Sequence, residues 1–229
     1  NTVAYYFFNF HSLYNRAEET KLEVSQINPF IKYRIKTEKT VKRALSKENM
    51  RKIAQVDLSD DSKTDLARDV FMFSFFTRGM AIVDIIHLKK EQLNNTLLEY
   101  RRKKTNQHLV VQVTEAIQYF VDKYHDPQSE YVFPFLDPEK RQTIYRQYRQ
   151  ALCEINIQLK EVARRVGLSI DLTTYVARHS WASIAKETGA PISQISDGLG
   201  HTSEKTTQIY LKELDLSVLS KLNEKVSSL

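Results

Sequence analysis

Residues 94–114 read NNTLLEYRRKKTNQHLVVQVT, and the period of this stretch decides the fold class. On both sides of it apolar residues recur at three- and four-residue spacing, as helices packed on one face require. Within it the period falls to two. Two β-prone runs, at about 96–101 and 108–113, flank a polar turn, which is the pattern of a hairpin. The prediction is a mainly α protein with a small antiparallel β-sheet set into it, an α+β arrangement.

Toward the N-terminus, a long helix is expected from near Lys63, where DLARDVFMFSFF carries an apolar face. Thr77-Arg78-Gly79 interrupts it, and the pattern resumes as MAIVDIIHLKK. Ser46, followed by Glu48 and Asn49, marks a helix start, and Ser59-Asp60-Asp61-Ser62 a loop. Residues 1–27 read as an amphipathic helix closed by Asn28-Pro29, with a basic connector from about 30 to 45 behind it. Toward the C-terminus, helices are expected over 114–125, from Lys140 to about Val166, and from Thr173 onward. The last is broken at Gly189-Ala190-Pro191 and at Gly198–His201, and YVFPF at 131–135 reads as a short strand or extended piece.

Composition excludes several classes. Of 229 residues, 41% are apolar and 27% charged, too apolar for a disordered segment. No run approaches the roughly 20 apolar residues of a membrane span, and the first residues lack the basic segment of a secretory signal. A single cysteine, Cys153, excludes an internal disulfide and any Cys-rich zinc site, as a cytoplasmic protein would have it. Asn1 in place of Met is expected of a piece cut from a longer protein. A net charge of +6 is weak support for a nucleic-acid partner. Its distribution says more: residues 32–52 hold nine Lys or Arg against two Glu, and residues 101–104 are RRKK.

Three strings carry possible chemistry. Arg78 lies inside FMFSFFTRGMAIVDII, where a buried guanidinium needs an anionic partner, either Asp84 or a ligand phosphate. Gly198 and Gly200 stand directly ahead of His201 in DGLGHTSEKTTQIYLK. TYVARHSW lies some twenty residues upstream. Each alone reads equally as a packed or solvated segment.

Together they resemble the tyrosine recombinase (phage integrase) family. The match is Leu199-Gly200-His201, then Thr206 after four residues, then Tyr210; Arg178-His179-Ser180-Trp181 as a second box; and a hairpin ending in Lys104-Thr105. The resemblance implies the family's catalytic-domain fold over 37–229, with 1–36 as the end of a helical core-binding domain plus linker. It implies DNA strand cleavage and rejoining through a 3′-phosphotyrosyl link, with no metal and no other cofactor. In that scheme Tyr210 is the nucleophile, Arg178 a phosphate clamp, His201 a phosphate hydrogen-bond donor and Lys104 the general acid. Lys103, adjacent, would point to the opposite face by strand alternation. With Arg101, Arg102 and His179 it is expected to contact DNA.

The chemistry demands these residue types. Attack by a phenol on phosphorus builds negative charge that guanidinium forks stabilise, and the 5′ oxygen leaves only when protonated. Two positions depart from the family. Tyr175 stands three residues before Arg178 where a His is usual, and Ala81 occupies the place of the first Arg. Arg78 is therefore read as a replacement clamp, with a structural Arg78–Asp84 pair as its rival.

The implied partner is double-stranded DNA, bound by a tetramer whose C-terminal helix is exchanged between protomers, with a free monomer and no membrane. The implied location is the cytoplasm, at the nucleoid. FSFFTRGMAIVDIIHLKK and TTYVARHSWAS look most like recombinases of mobile elements and DNA invertases from Bacteroides and its relatives. Two alternatives remain: a helix-turn-helix regulator, from the outline of SIAKETGAPISQISDGLGH, and a type IB topoisomerase.

Overall fold

The computed structural model describes residues 2–23, 27–33, 35, 44–94, 96–201 and 203–211, with the backbone alone at Ile209 and Tyr210. The chain divides into two units, Asn1–Val41 and Lys42–Leu229. In the first, helix α1 spans Thr2–Glu19, shorter than the run to residue 27 that its pattern predicts. The Thr20 hydroxyl turns back onto the Arg16 and Ala17 carbonyls, and Lys21 at φ 55 leaves the helix. Phe30 folds onto the same segment, its ring centroid 5.3 Å from that of Phe7 and 4.9 Å from that of His11.

The second unit is mainly helical. Helix α2 (Lys47–Gln55) starts where Ser46 Oγ accepts the Asn49 N–H. Helix α3 (Ser62–Phe76) starts where the Asp61 carboxylate accepts from Lys63 and Thr64. There follow α4 (Ile82–Ile86), a 3₁₀ turn at Lys90–Gln92, strands β1 (Leu97–Arg101) and β2 (His108–Gln112), and α5 (Glu115–Lys123). The C-terminal half holds α6 (Ile144–Arg165), α7 (Thr174–Glu187), α8 (Ile192–Leu199) and α9 (Glu204–Leu211).

Helix α3 is the hub and packs against α2, α5, α6 and α7. Val70, Phe71, Met72 and Phe73 are all 3% exposed or less, so successive residues are buried on every side. That is why its sequence is a nearly unbroken apolar run rather than a stripe.

The hairpin forms as its period requires. β1 and β2 pair antiparallel with Leu97 opposite Gln112 and Arg101 opposite His108. Leu98 and Tyr100 face the core while Glu99 and Arg101 face solvent. Two expectations need correction. Of the two readings of YVFPF, the strand does not form: Tyr131 makes one isolated bridge to Lys89, and Pro134 has no N–H to extend a ladder. Helix α6 begins at Ile144, not Lys140, because the Gln147 side chain takes up the backbone of the preceding loop at Asp137 and Gln142. Among the described residues no helix is long and apolar enough to cross a membrane.

Candidate functional site

Arg178 lies in the second turn of α7, 4% exposed. A guanidinium at that depth must spend its donors on fixed acceptors. Nη1 donates to the Gly79 carbonyl at 2.8 Å, and Nη2 donates to the Leu199 carbonyl and lies 3.1 Å from His201 Nε2. These partners are 99, 21 and 23 residues away in the chain.

The turn after α3 is built for this contact. Thr77 caps the helix through Phe73 O, Arg78 takes φ 58, and Gly79 takes φ 75 with its N–H on Ser74 O. A Cβ on Gly79 would meet Arg178 Cγ at 2.7 Å, so only glycine lets this carbonyl reach the guanidinium. The same turn ends the helical relation between positions 78 and 81. Ala81 is the extended N-cap of α4, and Arg78 is half-buried.

The predicted rival partner of Arg78 is otherwise engaged. Asp84, 5% exposed, accepts the Lys103 N–H at 2.9 Å. Among the described residues no ion pair joins Arg78 to Asp84. Burial raises the Asp84 carboxyl pKa, opposed by the Lys103 N–H and by the charges of Arg102, Lys103 and Arg178. Burial, with Asp84 adding to it, also pushes the Tyr100 phenol up to about 12.

His201 sits in the turn between α8 and α9. Its Nδ1 is 2.8 Å from Thr207 Oγ1, while Nε2 faces Arg178. Arg can only donate, so Nε2 accepts and the proton resides on Nδ1. Burial, then the charges of Arg178, Arg102 and Lys104, push the imidazole down to about 4. The unfolded chain, titrating near 6.5, takes up a proton that folded His201 refuses until about 4. Stability is therefore expected to be fully present above about 6.5 and to fall as pH drops toward 4. His87, lowered chiefly by its own burial, acts in the same direction. Thermal melts at pH 7.5 and pH 5 measure the difference. His201→Gln should shrink it, and an unchanged difference would count against this assignment.

The other predicted residues are distributed as follows. Lys103 and Lys104 are exposed, and both lie in the turn beyond β1, so strand alternation does not separate them. Arg101 is exposed, with Nη1 3.3 Å from Asn106 O. Arg102, expected at DNA, is instead 8% exposed and donates through Nη1 to Gly200 O. His179 is 9% exposed, its ring edge-on to that of Tyr175 at 4.6 Å, and Tyr175 in the first turn of α7 is 56% exposed. Tyr210 lies on α9 one turn beyond Thr207, and its side chain is outside the described residues. The tail after Leu211 and residues 36–43 of the basic connector are also outside them.

Thr207 was missed. The motif spacing points to Thr206, which is exposed, whereas Thr207 is 0% exposed and holds His201. The available signal was its spacing: Thr207 stands three residues before Tyr210 and so shares a helix face with it.

Comparison with known proteins accords with this arrangement. The Phage integrase family profile matches residues 43–216. The chain is similar to the tyrosine recombinase XerA of Pyrococcus horikoshii, 26% identical over 209 residues, covering 90% of this chain and 65% of that protein. It is also similar to the tyrosine recombinase XerC of Chlamydia caviae, 28% identical over 138 residues, covering 59% and 44%. The chain thus spans less than two-thirds of the length of these curated relatives. Among solved structures, its fold is similar to that of XerA recombinase, with a TM-score of 0.59 and 20% identity over 83% of this chain and 67% of the other. It is similar as well to a lambda integrase dimer bound to a COC′ core site, with a TM-score of 0.64 and 14% identity over 91% and 74%. With the profile covering most of its length and its helices and hairpin arranged as in tyrosine recombinase catalytic domains, the chain belongs to the phage integrase family.

Proposed function

We propose that this chain is the catalytic part of a site-specific recombinase that cuts and rejoins double-stranded DNA through a 3′-phosphotyrosyl intermediate. The observation that carries the reading is the Arg178 fork, fixed by two carbonyls with His201 at 3.1 Å, beside the turn that leads into the helix bearing Tyr210. A pre-oriented guanidinium stabilises charge developing on phosphoryl oxygens without reorganising when the reaction occurs.

In the proposed step Tyr210 Oη bonds to phosphorus and the bond from phosphorus to the 5′ oxygen breaks. Lys104, in the exposed hairpin turn, gives that oxygen a proton. The Tyr210 proton passes to solvent, since the phenol of Tyr175 is a poor base at neutral pH. Once the incoming negative charge raises its proton affinity, His201 takes up a proton from solvent at Nε2 and donates that N–H to the phosphate as a hydrogen bond. Rejoining reverses the step with a second 5′ hydroxyl. The ester conserves the bond energy, so neither ATP nor metal is required.

Arg78 is assigned as the second phosphate contact, supported by its place beside Gly79, whose carbonyl Arg178 holds. Arg78→Ala should slow cleavage at least about tenfold, as loss of a charged hydrogen bond does, with little change in melting temperature. Unchanged cleavage by the folded variant would leave Arg78 a structural role.

Residues 1–36 are read as the end of a core-binding domain, and the family's mobile-element members as the nearest in kind. The working form is a tetramer on DNA at the nucleoid, joined by exchange of the C-terminal segment. Solved relatives include a lambda integrase tetramer bound to a Holliday junction. Removing residues 215–229 should then reduce recombination far more than monomer stability, and an unfolded truncated product would contradict the exchange.

The test of the whole reading is a covalent adduct. Nicked duplexes tiled across the DNA flanking the protein's own coding region trap the chain on DNA if it is such a recombinase. Binding without an adduct would indicate a regulator. An adduct with relaxation of supercoils and no pairing of two sites would indicate a topoisomerase.

A further inference from the structure

Arg102 occupies the root of the β1–β2 turn, one residue past the last paired position of β1. Its N–H donates to Gln107 O at 2.9 Å and its carbonyl accepts from Asn106 N at 2.8 Å, which closes the turn locally. The side chain does something else. It runs inward, 8% exposed, and Nη1 donates to Gly200 O at 2.5 Å, beside His201 and 98 residues away in the chain. Gly200 is bare where the hairpin lands. It caps α8 at φ 61, and a Cβ there would lie 2.8 Å from Leu109 Cδ1 and 3.2 Å from Arg102 Cδ.

A second tie holds the next residue, since the Lys103 N–H donates to Asp84 Oδ1 at 2.9 Å. Both residues immediately before Lys104 are thus anchored to the body of the unit, and Lys104 is the first side chain beyond the anchors. Arg102 Nε, though buried, has no hydrogen-bond partner among the described residues. An apolar side chain would fill that space without leaving a buried donor unmet, so packing alone does not account for an arginine here.

We propose that Arg102 is a positioning residue: it fastens the hairpin turn to the Gly200–His201 turn, so that the Lys104 ammonium is held in fixed register with the phosphate site. The inference rests on the reading of Lys104 as the acid that protonates the departing 5′ oxygen. It makes a chemical distinction available. If the bridging 5′ oxygen of the scissile phosphate is replaced by sulfur, the leaving group is a thiolate. A thiol ionises roughly seven pH units below water, so a thiolate departs without a proton. A variant whose only fault is misplaced acid is rescued by sulfur. One with a damaged phosphate site is not.

The experiment uses the full chain and the nicked duplex on which it forms its adduct, made with oxygen or with bridging sulfur at the scissile position. Arg102→Met is expected to slow cleavage of the oxygen duplex about 10- to 100-fold, as a displacement near 1 Å of a reacting group does. On the sulfur duplex it should return to within a few-fold of the parent, as Lys104→Ala should. Arg102→Lys keeps one donor for Gly200 O and should fall between, and it carries the same comparison if Arg102→Met does not fold. Full activity of Arg102→Met on oxygen, or a loss that sulfur leaves uncorrected while Lys104→Ala is rescued, overturns the positioning role alone. Failure of sulfur to rescue Lys104→Ala overturns the assignment of the acid, and the positioning role falls with it.

Discussion

Tyr210→Phe is expected to abolish the protein–DNA adduct while leaving folding and DNA binding intact. The substitution removes one oxygen, and α9 is anchored by Thr207 at 0% and Leu211 at 2% exposure. Two other described tyrosines are unable to take over. Tyr100 is 4% exposed with its phenol pushed up to about 12, so it neither reaches solvent nor ionises. Tyr124 donates to Asp69 at 2.8 Å, and its ionisation is suppressed by burial and by that carboxylate. Tyr175 is the rival, 56% exposed and one turn ahead of Arg178 on α7. The measurement is adduct formation by the parent, Tyr210→Phe and Tyr175→Phe on one nicked duplex. An adduct that survives Tyr210→Phe and disappears with Tyr175→Phe would relocate the nucleophile and dismantle the proposed scheme.

Arg178→Lys should lower the cleavage rate about 10²- to 10³-fold, the usual effect of removing a pre-oriented oxyanion donor. The charge is retained, so the loss would isolate geometry. A guanidinium reaches Gly79 O, Leu199 O and the His201 ring at once, whereas one ammonium on a flexible stem cannot hold the same fork. A stability cost is expected as well. Each buried carbonyl left without a donor costs about 1–3 kcal/mol, so the melting temperature should fall for Arg178→Lys and further for Arg178→Ala. In the Ala variant the His201 pKa should move up from about 4, because one of the charges depressing it is gone. Cleavage by Arg178→Lys within a few-fold of the parent would remove Arg178 from the phosphate site and leave it a structural role.

The two predictions share a cause. The carbonyls that orient Arg178 belong to the turn after α3 and the end of α8, so the proposed phosphate site is assembled where three helices meet. Its rigidity comes from Gly79 lying directly against Arg178 Cγ and from the buried Thr207 that fixes the His201 ring. This also accounts for the positive φ of Arg78, a conformation that costs a non-glycine residue about 1–3 kcal/mol and persists only where surrounding contacts impose it.

What the chain determines by itself is what neighbouring residues decide among themselves. Ser46 starts α2, the drop to a two-residue period sets β1 and β2, and a polar turn between them puts Lys103 and Lys104 at the tip. The motif strings around Arg178, His201 and Tyr210 were likewise visible without coordinates. Tertiary structure alone decided that Arg102 faces inward to Gly200 rather than outward to solvent. It also decided that Asp84 serves the Lys103 N–H rather than Arg78, and that Thr207, not Thr206, meets His201. The physical reason is one of range. Periodicity and caps are set over a few residues by backbone hydrogen bonding. The partner of a buried donor is whichever acceptor packing brings within about 3 Å, from anywhere in the chain.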